Sequence, residues 1–403
     1  MTALLATPPR YWPGENATQA DQRPMRRWRV LHACDVVGLT AAVAEAQVQA
    51  GMRPSLLTPH GWYRPPMPQR QPATALSLIH EWQQVRRWRN RFVNEIVEQW
   101  AEILHAHCFA AAMAGLRGSS PVVYDLVSPI GAGIAPKPGA WLLRSLRVAE
   151  QFALSRAAAV VVHSQAMWGE ALRRGVDAQD LFLVPDPVEA AEFDGLGGES
   201  RHRAVTLFAP DLCKRADGRE LTRLLLAFAT LRSEIETARL LIEVSPEQSG
   251  RVTAEDAKAG VADAVRVIGQ TERSQAIGVA EIIVATAPAD DGPSRTLIEA
   301  LAHGRAILAA DVEQNREVTP QGRGCLWYRR DDPRDLAGRA AFLARNPDFR
   351  TALAVSGRTH VQATRSAKIV ARKYDDVYRH AFQRQHRGGL DALGQLEIVR
   401  ACF

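Results

Sequence analysis

Short apolar runs recur along the chain with helical patterns between them. WRVLHA is followed by a helix through AAVAEAQVQAG and then by PSLLT; ILHAH, a helix, PVVYDL, a long helix and AAVVVHS come next. Such alternation predicts parallel strands joined by crossover helices on both faces, a doubly wound α/β arrangement. After LFLVPDP the pattern pauses at GLGGESRHR, residues 195–203, a Gly-rich polar stretch with linker character. It restarts with VTLFAP, a helix through LTRLLLAFATLRSE, ARLLIEV, VRVIG, EIIVAT, a helix through TLIEALAHG, RAILAA and CLWY. A second α/β domain follows from that restart, alike in architecture but not in wording. The predicted plan is a flexible tail over 1–25, a first domain over 26–194, the linker 195–203 and a second domain over 204–365. Residues 366–403 form a closing helix and loose tail, the helix being a candidate to pack back on the first domain. Two such domains facing a cleft would bind ligands at the carboxyl ends of their strands.

The length of 403 residues agrees with more than one core, and 46% apolar with 23% charged residues is a soluble, globular composition. No uninterrupted run of about 18 apolar residues predicts a membrane-spanning helix. The first 25 residues lack a basic start followed by an apolar stretch, so no secretory signal is expected and the cytoplasm is the expected compartment. Five scattered cysteines, Cys34, Cys108, Cys213, Cys325 and Cys402, contain no C-x-x-C pair. They predict reduced thiols, with neither a disulfide framework nor a metal site. The formal charge of +6 favours polyanionic company: nucleic acid, acidic headgroups or phosphorylated substrates.

The helix TLIEALAHG raises a chemical question, because Glu299 and His303 interrupt an apolar run. A carboxylate there must face water, pair with a cation or meet a ligand's hydroxyls. Ser294 is placed to cap this helix, whose free amides and positive dipole end can bind phosphate. A carboxylate one turn deeper could take two hydrogen bonds from a ribose diol. The competing reading is a solvated Glu–His face.

Asp291, seven intervening residues and Glu299, with Gly292 after the first acid and EALAHGRAILAAD closing the segment, resemble the E-x7-E region of family 4 retaining glycosyltransferases. VEQNREVTPQGRGCLWYRRDDPRDLA and EQFALSRAAAVVVHSQAMWGEALRRGVDAQDLFLVPDPVEAAEF are similar to further segments of that family. The resemblance implies the GT-B architecture, two Rossmann-like domains with the nucleotide-sugar donor held mostly by the second. It implies that Glu299 binds the nucleotide ribose and Asp291 contacts the donor sugar. Ser294, Arg295 and Thr296 would lie beside the diphosphate and sugar, with no metal and no other cofactor required.

The chain departs from the family at several positions. The Arg and Lys of a G-R-L-x-x-x-K-G loop fall on Asp211 and Ala216, with Lys214, Arg215 and Arg219 near enough to substitute. Lys214 and Arg219 are taken as the candidate catalytic cations beside Asp291. Gly38 alone stands where a glycine pair is common, and Val127 occupies the place of a strand-end His. His105 and His107 keep an H-x-H common in the family; alternation sends both to one face, and His107 is a candidate ligand contact with a core role as its rival. IGAGIAPKPG has no dinucleotide-fingerprint order and reads as a loop.

Residues 82–100, WQQVRRWRNRFVNEIVEQW, place Trp82, Val85, Trp88, Phe92, Ile96 and Trp100 on one helical arc with Arg86, Arg87 and Arg91 outside it. This basic amphipathic helix is a candidate for peripheral contact with the inner membrane surface, against the plainer reading of a helix packed on its own sheet. Nucleic acid is not expected as a partner, since only this element interleaves aromatic and basic residues. The functional expectation is hexosyl transfer from a nucleoside diphosphate sugar to a glycan or lipid-linked hydroxyl. The rival is a catalytically silent GT-B protein that binds a nucleotide, sugar or partner in glycan assembly, motivated by Asp211, Ala216 and Val127.

Overall fold

Two six-stranded, wholly parallel sheets with helices on their faces make up the computed structural model. It describes residues 24–33, 37–57, 101–127, 130, 141–188, 205–210, 219–244, 249–286 and 294–387. The chain divides into two units: one runs up to Pro187 and resumes at Ala367, and the other covers Val188–Ser366. The change of unit falls ahead of the Gly-rich 195–203 stretch. That stretch, the tail over 1–23, and the basic segment 82–100 with its membrane reading lie outside the described residues.

In the first unit the elements are β1 (Arg29–Ala33), α1 (Val37–Gln49), β2 (Arg53–Leu57), β3 (Ile103–Ala106), α2 (Phe109–Gly115), β4 (Val122–Asp125), α3 (Trp141–Arg156), β5 (Ala159–Val162), α4 (Gln165–Arg173) and β6 (Leu181–Leu183). The sheet order is β2-β1-β3-β4-β5-β6. Strands β3, β4 and β5 are buried along their whole length, because a parallel sheet is covered on both sides. Successive residues therefore feed two apolar layers. Leu31, Leu104, Tyr124 and Val160 belong to one, with apolar residues of α2, α3 and α4. Val30, Ile103, Val123 and Val161 belong to the other, with Val43 of α1.

That second layer is completed by α12 (Ala367–Arg387), the end of the described chain. Val370, Ala371, Tyr374, Val377, Tyr378 and Ala381 form a helical stripe without exposed surface. Trp28, just before β1, is fully buried beside it: its Nε1–H donates to Asp375 Oδ1 at 2.6 Å, and its ring lies 5.6 Å from Phe382.

The second unit contains β7 (Thr206–Ala209), α5 (Arg219–Glu234), β8 (Arg239–Glu243), α6 (Ser249–Lys258), β9 (Val265–Ile268), α7 (Arg273–Val279), β10 (Ile282–Ala285), α8 (Arg295–Ala302), β11 (Ala306–Ala310), α9 (Glu313–Val318), β12 (Cys325–Tyr328), α10 (Pro333–Arg345) and α11 (Pro347–Arg365). The order β9-β8-β7-β10-β11-β12 is the 3-2-1-4-5-6 winding of dinucleotide-binding folds, with its direction reversing between β7 and β10. Helix α11 is held close to the turn before β12. A Cβ added at Gly324 would lie 2.3 Å from Gly357 Cα, and one at Gly357 would lie 2.5 Å from Leu301 Cδ2 of α8.

Candidate functional site

In open parallel sheets the ligand crevice lies outside the carboxyl ends of the strands where the winding reverses. For the second unit that point is between β7 and β10, and the helix that follows β10 is α8. Its start is fixed by Ser294, whose hydroxyl accepts the Leu297 N–H at 3.2 Å, so the remaining first-turn amides and the dipole's positive end project from this terminus. Its end is closed by Gly304 at φ +65, with Gly304 N–H donating to Leu301 O and Arg305 N–H to Ala300 O. Between these caps Leu297, Ile298, Ala300, Leu301 and Ala302 are buried in the core.

Glu299 is 17% exposed and pairs with Arg295 one turn earlier, Nε to Oε1 at 2.9 Å, while the arginine is 40% exposed. Of the three environments open to this carboxylate, the structure supplies the cation. Pairing in sequence order Arg then Glu at the rim leaves the charge partly solvated, so the desolvation cost is modest. His303 is the C-cap residue of α8. Thr296 is buried, so its side chain faces the protein interior at the base of the helix start. Asp291 and Gly292 of the β10–α8 loop lie outside the described residues, as do Asp211, Lys214, Arg215 and Ala216 of the β7–α5 loop. Arg219 opens α5, exposed, on the helix that follows β7.

At the carboxyl end of β8, Glu243 is fully buried and is gripped by Arg273, the first residue of α7. Nη2 lies 2.6 Å from Oε1 and Nε 2.9 Å from Oε2. This two-pronged pair is rigid and charge-assisted. No sequence motif singled it out, because its members are thirty residues apart.

In the first unit the winding reverses between β1 and β3, and the residues under that point are polar. His32 and His105 are register partners on these two strands, and His107 follows two residues later; all three are buried. His107 Nδ1 lies 2.9 Å from Asp125 Oδ2, and its Nε2 lies 2.9 Å from His32 Nδ1. His163, after β5, donates from Nε2 to Asp125 Oδ1 at 2.6 Å and from Nδ1 to Val184 O at 2.7 Å. Burial opposes charge on His163, but Asp125 and Asp186 outweigh it and raise the ring to about 9. Burial would likewise favour a protonated Asp125. His163, with hydrogen bonds from His107 and His163, instead holds this carboxyl well below its ordinary range. A buried ion pair, Asp125 with His163, results.

Gly38 is the second residue of α1, inside the helix's first turn rather than in the loop before it, because the helix begins at Val37. His107 is buried, with Nδ1 facing Asp125 Oδ2 and Nε2 facing His32 Nδ1. Val127 is half-buried just past β4, its N–H donating to Asp125 O at 3.1 Å. Its side chain offers no hydrogen bond. Gln47, which bonds His32 Nε2, and Tyr378, which bonds His105 Nδ1, complete the network; its members outside the H-x-H went unremarked in the sequence because they come from segments far apart in the chain.

Comparison with known proteins agrees with the two-unit plan. Residues 9–187 match the glycosyl transferase 4-like domain, and residues 206–346 match the glycosyl transferases group 1 domain. Among solved structures the chain is similar to a glycosyltransferase from Rickettsia africae, with 13% identity, TM-score 0.65, and 89% of this chain and 99% of that one covered. It is also similar to sucrose-phosphate synthase from Thermosynechococcus elongatus, at 16% identity and TM-score 0.62, covering 88% and 99%. A third is Anabaena HepE in complex with UDP and glucose, at 13% identity and TM-score 0.59, covering 87% and 98%. No curated protein matches the sequence significantly. At such identities the structural likeness is one of fold.

Proposed function

Since the chain belongs to the group 1, family 4 glycosyltransferases of GT-B fold, we propose that it transfers a hexosyl group, with retention, from a nucleoside diphosphate sugar to a glycan or lipid-linked hydroxyl. The observation that carries this reading is Glu299, set one turn inside a capped helix terminus at the β7/β10 reversal. A helix start binds diphosphate oxygens, and a carboxylate held just within it accepts hydrogen bonds from a ribose diol. Arg295 then holds Glu299 in orientation before the nucleotide arrives.

In this proposal Asp291 and Gly292 line the sugar, and Ser294, Arg295 and Thr296 border the diphosphate. Lys214 and Arg219 stand in for the displaced loop cations. The bond between the anomeric carbon and the diphosphate oxygen breaks through an oxocarbenium-like state. A bond from the anomeric carbon to the acceptor oxygen forms as that oxygen's proton passes to the departing diphosphate oxygen. Charge gathers on the departing diphosphate, and amides, helix dipole and cations meet it there without a metal. HepE has been solved with UDP and glucose, TarM of S. aureus with UDP and α-GlcNAc-glycerol, and WaaG acts in lipopolysaccharide biosynthesis; these support a sugar donor and a glycan or lipid-linked acceptor. Among the described residues no helix is long and apolar enough to cross a membrane, and in this reading residues 82–100 make peripheral contact with a membrane surface.

The half-buried Val127, with no polar group to offer a sugar, favours the second reading, a silent GT-B protein. One experiment separates the two. Purified protein incubated with UDP-, GDP- and ADP-sugars should release nucleoside diphosphate, and Glu299→Ala should abolish the release. If none of the panel binds or turns over, the silent reading replaces the enzymatic one. A donor-only incubation that isomerises the sugar would instead mark an epimerase.

A further inference from the structure

The buried histidines of the first unit are arranged as metal ligands, although no cysteine or histidine spacing in the sequence suggests it. His32, His105 and His107 each offer one ring nitrogen, and these lie within 4.8 Å of one another. The other nitrogen of each ring is held from behind. His107 Nδ1 faces Asp125 Oδ2 at 2.9 Å, His32 Nε2 faces Gln47 Oε1 at 2.9 Å, and His105 Nδ1 faces Tyr378 Oη at 2.8 Å. Metal-bound histidines are commonly anchored in this way, by an outer partner that fixes the tautomer and leaves the inner nitrogen's lone pair free to coordinate; Asp125 and Gln47 Oε1 can only accept, and Tyr378 Oη, which also accepts from Gln47 Nε2 at 2.8 Å, has a second lone pair for His105 Nδ1–H.

The hydrogen-bond accounting points the same way. If the outer nitrogens carry the protons, lone pairs of His32 Nδ1 and His107 Nε2 confront one another at 2.9 Å with no hydrogen between them. A cation beside them relieves that repulsion. His105 Nε2, the third inner nitrogen, is buried without any hydrogen-bond partner. The hydroxyl of Tyr374, whose ring is 5.2 Å from that of His105, is likewise buried and unpartnered. Turning the Gln47 amide over would put a proton on His32 Nδ1 and remove the confrontation. It would still leave His105 Nε2 orphaned.

We propose that the first unit binds one divalent transition metal ion of the zinc class through His32, His105 and His107. Three imidazoles with no thiolate suit zinc, cobalt or nickel, and metal–nitrogen distances of about 2.0–2.1 Å require the inner nitrogens roughly 3.3 Å apart. The His32–His107 pair opens by a few tenths of an ångström and His105 closes in. The role is structural: the ion joins β1 to β3 directly. Through Gln47, Asp125 and Tyr378 it also reaches α1, β4 and α12. It belongs to the first unit, whereas the donor chemistry is proposed for the second.

The test uses the untagged full chain, produced in zinc- or cobalt-supplemented medium and passed over a desalting column in the presence of a chelator. The expected result is close to one metal ion per chain, with visible absorption bands distinct from those of aqueous cobalt in the cobalt sample. His105→Gln and His107→Gln should lose the metal, while His380→Gln, which pairs with Asp180 outside the cluster, should retain it. If the first two variants fail to fold, the intact chain decides. Refolding with zinc should raise its Tm above that of refolding with chelator. Metal well below stoichiometry in both samples, together with an unchanged Tm, overturns the proposal and assigns the cluster to a proton-linked hydrogen-bond network.

Discussion

Glu299 sits at the rim of an apolar helix with Arg295 as its partner, so its structural worth and its functional worth separate. An ion pair four residues apart on a helix and partly exposed contributes only about 0.3–0.5 kcal/mol. Glu299→Ala should therefore leave Tm nearly unchanged while donor turnover is lost; a large drop in Tm with turnover intact would assign it to folding instead. His360 of α11 behaves differently. Burial first, then Arg323 and Arg365, push its ring down to about 4 from the ordinary 6.5. Between those values the unfolded chain takes a proton that the folded chain refuses, so stability is full above 6.5 and declines as pH falls toward 4. The loss is on the order of 3 kcal/mol. Urea melts at pH 7 and 4.5 should show a smaller difference for His360→Gln than for the unaltered chain. The partner of Glu299 lies one turn away in sequence and is legible there, whereas that of His360 is only half legible, because Arg365 shares its helix but Arg323 comes from the turn before β12.

Among the elements, α8 was readable almost entirely from local signals: a serine before it, an apolar stripe within it and a glycine after it. What keeps it in place was not. Gly324 has φ +79, and its Cα hydrogen faces the backbone of Gly357 where α11 meets Leu301 of α8. Gly324→Ala combines a left-handed backbone with a clash against backbone atoms and should cost about 2 kcal/mol or more. Gly304→Ala has φ +65, but its Cβ would meet only the Arg358 side chain, at 3.6 Å, and should cost about 1 kcal/mol. Chemical denaturation of the two variants compares them directly; equal losses would show that the close approach of α11 carries no weight. Gly38 shows how little a lone glycine fixes. A single glycine marks a loop as well as it marks a helix's first turn, and only the position of Val37 decides between them.

The whole molecule is built as one unit interrupted by another, with the chain leaving the first at Pro187 and returning at Ala367. The return matters, because the fully buried stripe of α12 covers one face of the first sheet and supplies Asp375 to Trp28. A chain ending at Ser366 should lose amide protection in β1, β3, β4 and β5 while β10 and β11 stay protected in hydrogen exchange; protection retained throughout the first sheet would contradict this role. The sequence by itself determined the two parallel sheets, their helices and the placement of Glu299 behind a helix cap. Period-2 and period-3.6 patterns and capping residues act over a few neighbours, so they can be read in one dimension. Only the tertiary structure decided that His32, His105, His107, Asp125, His163 and Tyr378 share one buried cluster. Parallel winding sets strand ends side by side irrespective of their separation in the chain, and no local pattern records which ends those are.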